Sequence, residues 1–150
     1  NLFAVSTGFT SAQLYSTASF QAQDLTGIKL TGDMSNWNFA NQILCGASFH
    51  GSLSGADFTG ADIRGAGIAR SPARTSAQPY STASYQAHDL TGISLSGKNL
   101  TSWNFANQNL TNASFYSSTL TGANFTGALV RGFNHLLIAK LERTRSSVPT

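Results

Sequence analysis

Few side chains in this 150-residue sequence could carry out chemistry. It holds one cysteine, three histidines and six carboxylates, and charged residues make up 10% of the chain, against about 25% in an ordinary soluble domain. General acid–base catalysis needs paired carboxylates or a histidine with an orienting partner, and a metal site needs ligands at defined spacings. An enzymatic function would therefore depend on very few residues.

The acidic residues and histidines form no such set. Most aspartates stand immediately before a large apolar residue, which indicates a structural role at a turn. These are Asp24, Asp57, Asp62 and Asp89. The histidines share no spacing typical of metal ligands. They are His50, His88 and His135. We predict no catalytic residue, no metal site and no cofactor.

The single cysteine, Cys45, excludes an internal disulfide and a cysteine-rich metal site. It follows the apolar Leu44, at a position where the other half of the sequence has Thr111. No histidine or basic residue is fixed beside it by the sequence pattern, so nothing there would activate a thiolate nucleophile. We interpret Cys45 as a residue without a chemical role.

The net charge of +3 is concentrated in residues 69–79 and from 131 onwards, and the rest of the chain is almost neutral. A nucleic-acid interface needs basic residues clustered on one ordered face. No apolar run reaches the roughly 18–20 residues of a membrane-spanning helix. We therefore predict no specific nucleic-acid partner and no transmembrane segment. Since the chain starts at Asn1 without a charged-then-apolar leader, we expect any targeting peptide to be absent or removed.

Large apolar residues recur at every fifth position through most of the chain. Two intervals are four residues long, Leu30 to Met34 and Phe49 to Leu53. The two halves are also copies of each other, because residues 11–30 match residues 76–95 at 16 of 20 positions. The sequence is therefore a tandem duplication of a long unit that is itself made of five-residue repeats.

A period of five residues restricts the architecture. In an α-helix five residues advance by about 500°, so the large residues would form no single stripe. In a flat strand an odd period sends successive large residues to opposite faces. The chain must therefore turn by a fixed amount at each repeat, which predicts a solenoid of stacked coils with the large residues inside.

The repeats resemble those of the pentapeptide-repeat family, in runs such as 55–63 (GADFTGADI), 118–122 (STLTG) and 123–127 (ANFTG). The resemblance implies an all-β fold, a right-handed quadrilateral β-helix of about five coils, with a large residue and a smaller one two positions before it filling the interior. The expected core ladder is Phe20, Leu25, Leu30, Phe39, Leu44, Phe49, Phe58, Ile63, Leu90, Leu95, Leu100, Phe105, Leu110, Phe115, Leu120, Phe125 and Val130. The expected small inward residues are Ala47, Ala56, Ala61, Ala113, Ala123 and Ala128.

Some small inward positions hold larger or polar residues, and we expect a distorted coil around them, at 23–42 and 88–108. These residues are Trp37, Gln42, His88, Lys98, Trp103 and Gln108. A lysine cannot point inward without compensation, because burial of an unpaired charge is costly.

The repeats define five segments. They are a lead-in at 1–14, a first block at 15–68, an interruption at 69–79, a second block at 80–132 and a tail at 133–150. Thr10 followed by Gln13 is typical of a capping box and predicts a short helix at about 11–17. Residues 134–145 predict a helix that caps the last coil. Whether the two blocks form one continuous solenoid stays open.

For function, we favour a non-enzymatic structural or protein-interaction module from a repeat-array scaffold. The long repeats are similar to those carried in arrays by large exported bacterial proteins, which suggests an exported or cell-surface location. The partner is then an unknown protein, or a second copy stacked end to end in a homodimer. A topoisomerase inhibitor that mimics DNA is disfavoured, because duplex DNA carries a charge about every 1.7 Å and this body is nearly neutral. The hypothesis of ice or crystal-surface binding has less support still, because stacked coils give no unbroken row of threonines.

Overall fold

The computed structural model describes residues 3–4, 9–69 and 79–132. Its regular elements are short, because the chain turns after every few residues. The strands are β1 (Phe3–Ala4), β2 (Lys29–Asp33), β3 (Ser48–Ser52) and β4 (Gly67–Ala69). The helices are α1 (Ser11–Tyr15), α2 (Ala18–Gln21) and α3 (Ala83–Gln86), with a 3₁₀ turn at Pro79–Ser81.

All pairing between the strands is parallel, in the order β1-β2-β3-β4. Leu30 of β2 pairs with Phe49 of β3, which in turn pairs with Ile68 of β4. Elsewhere isolated parallel bridges continue the stacking, as from Asp89 to Asn109. Each step of 19 or 20 residues is thus one turn of the chain about a common axis, which confirms the predicted solenoid of parallel coils.

The two blocks form one continuous solenoid. Gly67 pairs with Ser48 of the first block and also with Ser94 of the second. The amide of Ser94 donates to the carbonyl of Ala66 at 2.9 Å. The coil of the second block therefore stacks directly on the last coil of the first, although residues 70–78 between them lie outside the described part.

The interior contains two equivalent aromatic clusters. In the first block the ring of Phe39 stacks on that of Phe58 at 5.1 Å, and Phe49 meets both edge-on. In the second block Phe105 and Phe125 stack at 5.1 Å. Residues placed on successive coils by the five-residue period thus meet inside one apolar column.

Most of the expected ladder is buried, but five of its members are only half-buried. They are Phe20, Ala123, Phe125, Ala128 and Val130. Phe20 lies in α2, outside the coils, where its ring packs on Tyr15 at 4.6 Å. The other four lie on the last described coil, where the bridge from Asn104 to Asn124 gives a neighbour on one side.

The corners depend on left-handed backbone. Residues such as Asn36, Asn107 and Ser117 have a φ near +60°, where asparagine and glycine are favoured. At the two four-residue intervals the chain does not turn tightly. It runs straight through as β2 and β3, which pair in register.

The helices show that the five-residue spacing does not always mean a coil. The capping box of Thr10 and Gln13 is confirmed, and α1 begins directly after it. However, Tyr80 and Tyr85, which keep the spacing of five, lie in the 3₁₀ turn and in α3. Short helices therefore interrupt the expected all-β fold at the start of each copy.

Stacking is regular where distortion was expected. Asp89, Ser94, Asn99 and Asn104 each form a parallel bridge to the next coil, so the expectation for 88–108 is wrong. The predicted helical cap at 134–145 lies outside the described residues. The predicted number of coils stays a prediction.

Candidate functional site

The aspartates on the outer wall hold turns together. Asp24 Oδ1 accepts from the amide of Thr26 at 3.0 Å, and Asp57 Oδ1 accepts from that of Thr59 at 2.8 Å. Hydrogen bonds from the side chain of each threonine, and then from its amide, stabilise the carboxylate and lower the pKa of both aspartates. Both aspartates therefore stabilise the turn that follows them.

The other reactive side chains are separate from each other. His50 is exposed on β3, and His88 is exposed at a left-handed corner; His135 lies outside the described residues. Burial and the neighbouring Asp62 raise the pKa of the Cys45 thiol, which disfavours the thiolate. Within residues 3–4, 9–69 and 79–132, no group of three potential ligands could hold a metal ion, and no helix is long and apolar enough to cross a membrane.

The densest polar cluster lies where the second block stacks on the first. Asp62 accepts from Arg64 at 2.6 Å and from the Ser84 hydroxyl at 2.8 Å. Arg64 also lies 3.7 Å from a carboxylate oxygen of Asp89. The guanidinium and the hydroxyl hold the pKa of Asp62 well below its usual range. We call Asp62, Arg64, Ser84 and Asp89 the join cluster. The sequence does not predict that these residues lie together, because their proximity depends on which coils stack on each other.

Ser84 forms further hydrogen bonds across the join. Its hydroxyl accepts from the amide of Ile63 at 2.8 Å while it donates to Asp62. Beside it, the amide of Ala83 donates to the carbonyl of Ala61 at 3.0 Å. Helix α3 therefore bonds to the coil before it through both side-chain and backbone groups.

Two buried glutamines occupy inward positions. Nε2 of Gln42 donates to the carbonyl of Phe20 at 3.3 Å, and Nε2 of Gln108 donates to that of Tyr85 at 3.1 Å. The Oε1 atom of each glutamine is buried and has no hydrogen-bond partner. The amides therefore stabilise the helices at the start of each copy at some cost in desolvation.

Lys98 also takes an inward position. Its ammonium nitrogen is buried without a hydrogen-bond partner, and this burial lowers the pKa of Lys98. The coil around it stays intact, because its amide donates to Ser118 Oγ at 3.2 Å. An uncompensated inward lysine is therefore present, contrary to the sequence expectation.

The start of the first block has an open cavity of about 120 Å³. Its lining includes Leu14, Thr17, Ser19 and Asp24. It is small compared with the roughly 300–1,000 Å³ of typical ligand pockets. The outer walls and the ends of the solenoid are therefore the surfaces available for binding.

Comparison with known proteins agrees with this geometry. A family model described as pentapeptide repeats matches residues 33–66 and 89–127 in eight copies. No curated protein sequence matches the chain at a significant level.

Two solved structures are similar at low identity. One is a pentapeptide repeat protein of the Arabidopsis thaliana thylakoid lumen, with 22% identity, coverage of 81% of this chain and 72% of that chain, and a TM-score of 0.26. The other is HetL, a pentapeptide repeat protein involved in heterocyst differentiation regulation in Nostoc, with 20% identity, coverage of 71% and 51%, and a TM-score of 0.18. With its eight matched repeats wound into stacked parallel coils, the chain belongs to the pentapeptide-repeat family.

Proposed function

We propose that this chain is a non-enzymatic structural module, a segment of a repeat-array scaffold whose outer walls contact other proteins. The observation that carries the proposal is the join between the blocks, where Gly67 pairs with a coil on each side. A unit that stacks on its own duplicate can be repeated in an array, since each unit buries the end of the one before it.

The interior supports a structural role. The core column is filled by side chains, and the reactive residues of the described segments hold turns or lie apart. Family members are non-enzymatic in general. The similarity of the long repeats to those of large exported proteins extends the proposal to an exported or cell-surface scaffold in a bacterium, and end-to-end stacking of two copies is one contact it would use.

Equilibrium unfolding in denaturant tests whether the two blocks act as one body. Leu30 and Leu95 occupy equivalent buried positions in the two copies. Leu30→Ala and Leu95→Ala should each lower the free energy of unfolding by about 3 kcal/mol. For a continuous scaffold both substitutions shift one shared transition. Thr59→Ala and Thr101→Ala, at exposed positions of the two blocks, serve as controls with little effect.

Two separate transitions, each moved by the substitution in its own block, would contradict the proposal.

A gyrase supercoiling assay addresses the DNA-mimic alternative. The described residues carry five aspartates against four basic side chains, so no dense negative field is present on them. We expect no inhibition at micromolar chain, and no thermal hysteresis in an ice-binding assay; inhibition or hysteresis would favour the respective alternative.

A further inference from the structure

We infer that copies of this chain associate head to tail, a step that rests on the proposed scaffold function. The tail surface is residues 124–132, on the last described coil. The head surface is residues 14–28, around α1, α2 and the open cavity. The occupant of each surface is the opposite end of a second copy, and the internal join provides the template for the contact.

The template consists of hydrogen bonds across the join. The amide of Gly60 donates to the carbonyl of Ser81 at 2.8 Å, and the amide of Gly65 donates to that of Thr91 at 2.8 Å. Between them lies the bond from the Ile63 amide to the Ser84 hydroxyl. These contacts join residues 60–65 to residues 81–91, which are the ends of the two copies of the repeat.

The head and tail surfaces are second copies of these segments. With an offset of 67 residues, the tail surface matches the first-block side of the template. The pairs are Gly60 and Gly127, Ala61 and Ala128, Ile63 and Val130, Arg64 and Arg131, and Gly65 and Gly132. With an offset of 65, the head surface matches the second-block side of the template. The pairs are Ser81 and Ser16, Ala83 and Ala18, Ser84 and Ser19, Asp89 and Asp24, and Thr91 and Thr26.

Side chains that are buried at the join are more exposed at the equivalent positions of the head and tail surfaces. Ser84 is 4% exposed at the join, whereas its equivalent Ser19 is exposed and lines the open cavity. Ile63 is 1% exposed, whereas its equivalent Val130 is half-buried. The same side chains that are covered at the join are therefore accessible at the head and the tail.

The backbone groups are also complementary. Among the described residues, the amides of Gly127, Val130 and Gly132 donate to no acceptor. In the template the equivalent amides donate to the carbonyls of Ser81 and Thr91 and to the hydroxyl of Ser84. The head surface has the same acceptors, which are the carbonyls of Ser16 and Thr26 and the hydroxyl of Ser19. Unpaired donors at the edge of a sheet favour pairing with another chain.

Charge complementarity agrees with this register. In the template Arg64 lies near Asp89. Head-to-tail stacking would place Arg131 of one copy near Asp24 of the next. The join cluster is not fully repeated, because the equivalent of Asp62 is Leu129, which is 42% exposed. The contact between copies therefore lacks the carboxylate of the join cluster but gains an exposed apolar residue.

Strand β1 does not occupy the head surface. It pairs with Lys29 and Leu30, which follow residues 14–28 in the chain. At Lys29, β1 takes the place that Gly67 of β4 takes at Ser94 in the join, so a second copy would contact residues 14–28 alone.

Sedimentation velocity of the full 150-residue chain tests the proposal. Because the two surfaces differ, head-to-tail contact is open-ended, and the average mass should rise past the dimer between about 1 and about 500 µM. Asp24→Arg and Arg131→Asp should each weaken self-association about tenfold. Asp57→Arg is the matched control, because Asp57 forms the same turn as Asp24 but lies within the solenoid wall.

A mixture of the two charge variants should associate again, since each end then faces an opposite charge. A monomer at every concentration would overturn the inference and would indicate a covered tail surface, as the predicted cap at 134–145 would produce. A mass that stops at the dimer and is insensitive to Asp24→Arg would also overturn it, because it would indicate tail-to-tail contact. Unfolding in one shared transition is independent of these results, so the proposed function can stand or fall separately.

Discussion

Gln108 donates its side-chain amide to the backbone carbonyl of Tyr85 at 3.1 Å, from an inward position of a neighbouring coil. Gln42 repeats the bond to Phe20 in the first copy. Phe20 and Tyr85 lie in α2 and α3, so each glutamine attaches one helix to the solenoid interior. The pair explains why a polar residue occupies a position that the repeat otherwise gives to a small one.

The substitution Gln108→Glu should therefore destabilise the protein at about pH 7, because a buried carboxylate cannot donate to Tyr85. The free energy of unfolding should fall by about 3 kcal/mol. Towards about pH 5 the deficit should shrink, since burial raises the pKa of the carboxyl and its protonated form can donate. Thermal melts at the two pH values measure this change.

The control for this experiment is Asn99→Asp. Asn99 is exposed, and its Oδ1 accepts from the amide of Thr101, a role that an aspartate can keep. A deficit of the same size in both variants, or one that does not change with pH, would contradict the role assigned to Gln108.

Replacing Lys98 by methionine should stabilise the protein. The substitution Lys98→Met removes a buried ammonium without a partner while keeping most of the side-chain volume, and should add about 1 kcal/mol. The pKa of Lys98 is lowered in the folded state from 10.5, so the unfolded chain binds more protons between the two values.

The stability of the unsubstituted chain relative to Lys98→Met should therefore rise with pH towards 10.5, and the advantage of methionine should shrink there. Melting temperatures of the two proteins between about pH 7 and about pH 10 provide the measurement. The exposed Lys29, changed to methionine, is the control. An advantage for Lys98→Met that is absent at neutral pH would show that the ammonium is solvated.

Asp62 should make the join sensitive to acid. Its pKa is lowered from 3.8 in the folded state, so its stabilising contribution is fully present above that value and is lost as the pH falls below it. At neutral pH Asp62→Asn should cost about 1 kcal/mol, because the bond to Arg64 loses its charge. As the pH falls from 3.8 towards the lower pKa of the folded state, the difference between the variant and the parent should shrink.

The matched control is Asp57→Asn on the exposed wall, where the turn bond to Thr59 can persist. Urea unfolding as a function of pH gives the comparison. An equal loss for both variants would indicate that the join cluster adds nothing beyond a local turn.

Gly51 should be intolerant of any side chain. A Cβ atom there would stand 1.8 Å from the carbonyl oxygen of Gly32, its partner in the pairing of β2 with β3. Gly51→Ala should cost more than about 3 kcal/mol. Gly32→Ala is the control, since its φ of +104° is also unfavourable for alanine but no atom lies within 4 Å of the new Cβ. Similar costs for both would show that backbone strain alone decides.

The sequence predicts the solenoid because the period of five is incompatible with a helix or a flat strand. It also predicts the capping box, since Thr10 and Gln13 are close in the chain. It does not predict that Tyr80 and Tyr85 lie in helical turns, because these two residues keep the spacing of five. Their rings pack on each other at 4.8 Å. The spacing of large residues therefore predicts a repeat, whereas the packing partners of each residue determine whether it lies in a coil or in a helix.

The candidate site was harder to foresee. The join cluster unites residues 62 and 64 with 84 and 89, and this depends on how the stacking resumes after residues 70–78. The inward Lys98 was expected to disturb its coil. The structure instead keeps the backbone bonds from that coil to the next one and leaves the ammonium without a hydrogen-bond partner.

The pairing of Gly67 with Ser94 has a practical consequence. These partners are 27 positions apart, whereas paired residues within each block are 19 or 20 apart. The stacking of the coils is therefore independent of the extra length. The stretch between Ala69 and Pro79 is therefore a natural grafting point. A foreign peptide inserted there should leave the alignment of the coils on either side unchanged.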